Sequence, residues 1–298
     1  MKIGWRVIYL TVDEYWVRCV GWLRARAFFQ IVAAGIGVIA LAGVLATLDD
    51  YKHDVQNRKK LKHYQAWQVI NSAYGKRGSG GRIQALEELN ADGISLDRVD
   101  LGQAWLDSVN LKGASLQEAD LHKCRMRHAR LDSADLHGAF MEETDLETAH
   151  LEWASLWMAY LNDANLNMAY LTGADFFGAS LAGASFQESQ MEWASLVGAD
   201  LTKANFKDAN LRGASLSAKH LVGANMNNAS LRGAGLMRAD LSGIRNWRAI
   251  RDIAFANVWG VENPPEGFIP WAVDTMGAVQ IEGQDEWWAF RDSVLSVQ

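Results

Sequence analysis

The sequence predicts an all-β repeat domain, a coil with a square cross-section, preceded by a single membrane-spanning α-helix. Three observations predict this architecture. Every fifth residue from Leu96 to Leu241 is Leu, Phe or Met, Ala stands two residues before 23 of these 30 positions, and residues 27–48 contain no charge. Glycine is frequent at 26 and proline rare at 3, a composition that suits regular, tight turning of the backbone.

The period of five residues determines the geometry of the coil. A strand alternates faces every two residues and an α-helix returns every three or four, so neither keeps all of the large residues on one side. A chain that turns a right angle every five residues does, and four such sides complete one coil with the large residue and the Ala inside. Residues four repeats apart then become vertical neighbours. Opposite charges recur at this spacing in His122/Glu142, Lys123/Glu143, Arg125/Asp145 and Arg127/Glu147.

The repeated unit has the form A-(D/N)-L-x-x, as in Ala164-Asn-Leu166 and Ala199-Asp-Leu201. This unit resembles that of the pentapeptide-repeat family, and the resemblance covers about half of the chain. It implies a right-handed quadrilateral β-helix. Many members of that family have no assigned function, whereas some resemble a DNA duplex in size and charge, bind DNA gyrase and modify its response to quinolones.

The uncharged residues 27–48 predict a transmembrane helix, because a helix of this length spans roughly 33 Å against ~30 Å of hydrocarbon. A buried core helix and a signal peptide are the alternatives, but no small-residue cleavage site follows Leu48, where Asp49 and Asp50 come next. Residues 1–26 combine tryptophan and arginine, which predicts an amphipathic juxtamembrane segment on the lipid bilayer, with a leader of no fixed structure as the alternative. The pattern predicts a single-pass membrane protein of the bacterial inner membrane. Basic residues within 52–62 favour a cytoplasmic β-helix, although Arg24 and Arg26 before the span, with Asp49 and Asp50 after it, argue for the opposite side.

The remaining segments follow from composition and periodicity. Residues 49–81 are predicted to form a helical stalk and a Gly-rich hinge, 82–90 a capping helix, 92–243 the β-helix, and 244–298 degenerate repeats, a C-terminal cap and a tail. The glycines before residue 82 invite comparison with a phosphate-binding loop. That interpretation fails because G-x-x-x-x-G-K-[ST] is absent and Ile83 stands where the last glycine of G-x-G-x-x-G belongs.

No set of residues in the sequence suits catalysis, and a coil filled with Leu and Ala offers no pocket. We therefore predict that the chain is not an enzyme and has no cofactor, metal site or small-molecule substrate. Cys19 and Cys124 lack metal-ligand spacing, and a metal site at His122 and His128 is not expected because the charged clusters around them are interpreted as structural ion pairs. Residues 92–243 carry 12 Lys and Arg against 20 Asp and Glu, so the coil repels nucleic acid.

A partner-binding surface is predicted between residues 132 and 200, where 12 acidic residues and no Lys or Arg occur. Outward positions in this stretch carry bulky apolar side chains in vertical columns. These candidates are Phe140 over Tyr160, Trp157 over Phe177 over Val197, and Trp153 two coils from Trp193. Such a surface is typical of protein recognition. The alternative is that the rings only stack on each other and stiffen the coil.

The sequence thus predicts a membrane-tethered scaffold that presents an acidic, aromatic face to an unidentified protein partner. A membrane complex is one candidate for that partner. The alternative is a DNA-mimic modulator of a nucleic-acid enzyme such as DNA gyrase.

Overall fold

The computed structural model describes residues 36–72, 79–217 and 221–296, with side chains from residue 45 onward. The chain divides into two compact units, residues 1–62 and 63–298. Its helices, in chain order, are α1 (Ile36–Ser72), α2 (Arg82–Ala91), a 3₁₀ helix (Trp247–Ala249), α3 (Phe268–Pro270) continued by a π-helix (Trp271–Thr275), and α4 (Gln284–Leu295).

Four repeats complete each turn of the coil. From Asp100 onward, most residues that precede a large inward side chain form a parallel β-bridge with the equivalent residue one coil later, as Ser155 does with Asp175. Two backbone hydrogen bonds hold this bridge: the Leu156 N–H donates to the Asp175 carbonyl at 2.7 Å, and the Asp175 N–H donates to the Ala154 carbonyl at 2.9 Å. The predicted coil, with four repeats of five residues in each turn, is confirmed.

The faces of the coil are shorter than the predicted all-β fold implied, because within 79–217 and 221–296 the bridges stay isolated and no strand forms. Each corner of the coil is a tight turn. The Ala159 N–H donates to the Leu156 carbonyl at 3.1 Å, and Met158, the third residue of that turn, has φ +57°. Few residues are left extended on each side, so neighbouring coils meet through one bridge per face.

The interior is filled by the large repeat residues and the alanines, which are almost completely buried. Phe176, Phe186 and Phe206 are among its largest side chains. The Phe186 ring is stacked on Phe206 at 5.1 Å between centroids and meets Phe176 edge-on at 6.1 Å. Because these side chains are almost completely buried, we expect the loss of even a few carbon atoms from one of them to lower the stability of the coil.

Polar residues that replace the small Ala hydrogen-bond to backbone carbonyls. The Thr144 hydroxyl donates to Leu121 O at 2.7 Å, and the Cys124 thiol donates to Leu101 O at 2.9 Å. Burial raises the pKa of the Cys124 thiol to about 12, because the apolar interior disfavours the thiolate. The thiol therefore stays protonated and unreactive at neutral pH.

Helical residues cover the first coil. Ala85, Leu86 and Leu89 of α2 are buried in the same core as the coil, and α2 begins directly after Gly81, which has φ +85°. Ile70 near the end of α1 belongs to that core as well. The open end that Leu96 would otherwise expose is thereby closed.

In the part of the chain that the structure describes, no helix is both long and apolar enough to cross a bilayer. Helix α1 carries charges from Asp49 and Asp50 onward, directly after its uncharged residues 36–48. The prediction of a single-pass inner-membrane protein is therefore wrong, and the lipid bilayer is not supported as a partner. Residues 1–35 and 73–78 lie outside the described residues, and they include the predicted juxtamembrane segment, the first nine residues of the predicted transmembrane helix and part of the hinge.

The C-terminal residues change the coil and then cover it. The bridges of Ser230 with Asp252 and of Gly235 with Asn257 join residues two positions farther apart than in the regular coil, and the 3₁₀ helix lies in this lengthened turn. Helix α4 then packs on the side of the coil, with Trp287 against Gly235. A Cβ at Gly235 would lie 2.6 Å from Cη2 of Trp287, so only glycine allows this approach.

Candidate partner-binding surface

Five of the predicted site residues share one side of the coil, which we call the aromatic face: Trp153, Trp157, Phe177, Trp193 and Val197. Three of them form a single column, because each follows by two residues one of the bridged residues Ser155, Asp175 and Ser195. Trp153 and Trp193 lie at the turn that leads into this face. Phe140 and Tyr160, the other two candidates, lie beyond the following turn, on the adjoining face.

The aromatic face leaves large apolar side chains in contact with solvent. Trp153 is 67% exposed, and Trp157 and Phe177 are each 44% exposed. The Trp157 and Phe177 rings are tilted by 58° with centroids 6.1 Å apart, while Val197 is half-buried at the end of the column. The rings therefore contact one another without covering one another.

Phe140 and Tyr160 show that stacking and exposure coexist on this coil. Their rings are nearly parallel with centroids 5.2 Å apart, as expected for rings that stiffen the coil. Both side chains nevertheless remain exposed to solvent. Stacking on each other therefore leaves part of the apolar surface of both rings accessible to a partner.

Trp153 and Trp193 each lie across a glycine of the next coil. A Cβ at Gly173 would lie 2.4 Å from Cε3 of Trp153, and one at Gly213 would lie 2.8 Å from the same atom of Trp193. The outer surface of Trp193 is not free, because the Arg291 guanidinium of α4 lies 5.0 Å from its ring centroid. Sequence reasoning missed this cover because Arg291 belongs to the C-terminal helix and follows no repeat.

The ion pairs follow the coil but do not always join equivalent positions of adjacent coils. Lys123 pairs with Glu143 at 3.2 Å and Arg127 with Glu147 at 3.5 Å, as predicted. Arg125 pairs instead with Asp107, and His122 with Asp120 at 2.6 Å. Side chains lean diagonally, so a carboxylate placed diagonally, or nearby on the same coil, competes with the one directly above.

Arg127 illustrates this diagonal contact. Its Nε donates to the Asp145 carboxylate at 2.5 Å, and this hydrogen bond, together with the negative charge, raises the pKa of the guanidinium. The basic residues of 123–130 thus satisfy acids of their own and adjacent coils. Asp163 and Asp175, which lie farther along, have no basic residue in the adjacent stretch of sequence.

One cluster among the described residues has metal-ligating side chains. Ligand atoms of Asp132, His150 and Glu152 lie within 4.8 Å of one another. The Arg130 guanidinium is 3.6 Å from the Asp132 carboxylate, and Nδ1 of His150 is 3.4 Å from Glu152. A divalent ion would have to displace the positive charge of Arg130.

The histidines considered from the sequence do not converge on an ion. His128 hydrogen-bonds to the Thr148 hydroxyl, and His122 contacts Asp120. Each ring therefore contacts a neighbour on the coil, although His122 does not make the predicted pair with Glu142.

The structure also exposes apolar side chains that the sequence interpretation did not single out. Met158 is 50% exposed beside the aromatic face, and Met168 and Tyr170 are 44% and 43% exposed on another face. Tyr170 is stacked on His150 at 4.5 Å. Their outward positions in the repeats were available from the sequence and would have identified all three.

Comparison with known proteins agrees with this architecture. The family model described as pentapeptide repeats matches in eight copies, over residues 94–202 and 204–243, which is half of the chain. No curated protein matches at the level of sequence. Among solved structures, QnrB1, a plasmid-mediated fluoroquinolone resistance protein, superposes with a TM-score of 0.51 at 16% identity, covering 63% of this chain and 91% of its own.

HetL, a pentapeptide repeat protein involved in heterocyst differentiation regulation from the cyanobacterium Nostoc sp. strain PCC 7120, is 34% identical. The match covers 58% of this chain and 83% of HetL, with a TM-score of 0.25. QnrB1 supports the likeness of fold, and the family model identifies the repeats residue by residue. The four-sided coil, its Leu and Ala interior and the family match together show that this chain belongs to the pentapeptide-repeat family.

Proposed function

We propose that this chain is a protein-interaction scaffold whose aromatic face binds a partner protein. One observation carries the proposal: Trp153, Trp157 and Phe177 are strongly exposed on a coil that backbone hydrogen bonds hold in place. Tryptophan is enriched among residues that dominate binding energy. A surface that is already ordered loses little conformational entropy on binding, so more of the burial energy appears as affinity.

Charge around the aromatic face selects the kind of partner. Residues 132–200 contain 12 acidic residues and no Lys or Arg. Asp135 and Asp175 each form a β-bridge with Ser155, and this column of residues runs beside Trp157 and Phe177. A complementary partner presents basic groups around an apolar centre, because opposite charges speed encounter and like charges exclude wrong partners.

Replacing Trp157 and Phe177 together by Ser should weaken partner capture at least tenfold, because the apolar centre of the face is lost while the net charge is unchanged. The measurement is affinity capture with the full-length chain, followed by quantitative mass spectrometry of the proteins retained. A specific partner is one retained by the wild-type chain and lost with the double variant.

Met168→Ser with Tyr170→Ser is the matched control. These two side chains are exposed to the same degree but lie on a different face, so capture should stay at the wild-type level. Equal loss in both double variants would indicate nonspecific adhesion to apolar surface, and equal retention in all three chains would remove the aromatic face from the function.

The DNA-mimic alternative rests on the acidic stretch between residues 132 and 200. Tryptophans interrupt that stretch, whereas a mimic of the phosphate backbone requires continuous negative charge. If the scaffold proposal is correct, the full-length chain at micromolar concentration should leave DNA supercoiling by gyrase unchanged. Inhibition that disappears when Asp163 and Asp175 are replaced by Asn would instead favour the mimic.

A further inference from the structure

The coil uses outward tryptophans as platforms for arginine. Five tryptophans occupy outward positions of the repeats, and three of them carry a guanidinium over the ring. Arg125 lies 4.5 Å from the Trp105 centroid, Arg291 lies 5.0 Å from Trp193, and Arg238 lies 5.2 Å from Trp259. Such contacts are attractive because the face of the indole is electron-rich.

Trp153 has the same geometry as Trp193 but no cation. Both indoles lie across a glycine of the next coil, so each turns one face toward the backbone and the other outward. Ser133 and Gly173 stand one coil before and after Trp153, and neither supplies a charge. Across the described parts of the chain no guanidinium lies over Trp153, which is the most exposed of the large apolar side chains.

A carboxylate lies on the coil that this indole covers. The Trp153 ring covers Gly173, and Asp175 follows two residues later on the same coil and is exposed. Oδ1 of Asp175 accepts the Phe177 N–H at 3.0 Å, and within the described residues Oδ2 has no hydrogen-bond partner. At Trp105, one guanidinium makes both kinds of contact at once, because Arg125 lies over that ring and also pairs with Asp107, two residues farther along the chain.

We propose that Trp153 and Asp175 form a binding site for an arginine side chain of a partner protein, with the guanidinium flat on the indole and paired with the carboxylate. This proposal rests on the scaffold function and adds the chemistry of the partner. Arginine suits the site better than lysine, since its planar guanidinium stacks on an indole and hydrogen-bonds sideways at the same time. Arg291 on Trp193 shows this contact within the chain, two coils away.

The test uses three dye-labelled hexapeptides, one of arginine, one of lysine and one of citrulline, the uncharged isostere of arginine. Their affinities for the full-length chain are measured by fluorescence anisotropy at low salt. The arginine peptide should bind about 3- to 10-fold more tightly than the lysine peptide, and the citrulline peptide should bind least. Trp153→Leu should abolish the preference for arginine over lysine, and Asp175→Asn should weaken binding of both charged peptides.

Trp105→Leu is the matched control, because that indole is already occupied by Arg125, and it should leave the preference unchanged. Equal affinity of the arginine and lysine peptides for the wild-type chain, or a preference that survives Trp153→Leu, would overturn the proposal. In either case, loss of a partner on substitution of Trp157 and Phe177 would leave the scaffold function standing. Arginine-selective peptide binding without capture of any protein partner would support the arginine site and contradict the scaffold function.

Discussion

Phe186→Ala should lower the free energy of unfolding by about 3–5 kcal/mol, the usual cost of removing a buried phenyl ring. Phe186 is completely buried, is stacked on Phe206 at 5.1 Å and contacts Phe176 edge-on. The cavity left behind cannot collapse easily, because backbone hydrogen bonds between coils hold its walls apart. Urea denaturation followed by circular dichroism gives the change in stability.

Phe177→Ala is the control for Phe186→Ala. It removes the same ring from a residue nine positions away that is 44% exposed, so the expected loss is below ~1 kcal/mol. A comparable loss in both variants would contradict the inward and outward assignment on which the aromatic face depends. Retained stability in Phe177→Ala also supports the use of this position in the partner-capture variant.

Trp287→Ala should release α4 from the side of the coil. Trp287 is 2% exposed and lies against Gly235, and its loss removes about 3–5 kcal/mol of packing from a helix of 12 residues. Because each 1.4 kcal/mol is a factor of ten, the amides of α4 should exchange with deuterium at least about 100-fold faster. Hydrogen-exchange mass spectrometry measures this directly.

The neighbouring residue provides the control for Trp287→Ala. Trp288 is 42% exposed, so Trp288→Ala should leave exchange in α4 within a few-fold of the wild-type rate. Release of α4 also removes Arg291 from Trp193, and that indole should then join Trp153 as a free platform for arginine. Unchanged protection of α4 in Trp287→Ala would show that the helix is held by other contacts.

Much of the aromatic face was predictable because the coil is nearly one-dimensional. Once the period of five establishes four repeats per turn, Trp157, Phe177 and Val197 must form a column, and the bridges that join Ser155, Asp175 and Ser195 show that they do. The stacking of Phe140 on Tyr160 follows from the same arithmetic. Each of these contacts joins adjacent coils, so its position depends only on the repeat.

The period predicted only some of the contacts of the long charged side chains. Arg125 turns away from Asp145, directly above it, to pair with Asp107 and cover Trp105. Several carboxylates lie within reach of one flexible guanidinium, so small differences in packing decide which is chosen. Likewise, a count of uncharged residues predicted a membrane helix, but among the described residues no helix is long and apolar enough to cross a bilayer.

A strict five-residue period admits one inward side, so the repeats alone were enough to establish the coil, its interior and the columns on its surface. Which tryptophans remain without a covering side chain depends on contacts between distant parts of the chain. Trp153 and Trp193 occupy equivalent turns over Gly173 and Gly213, yet α4 returns from the end of the chain to place Arg291 on Trp193 alone. That difference arises from a contact between residues far apart in the chain, which no local repeat encodes.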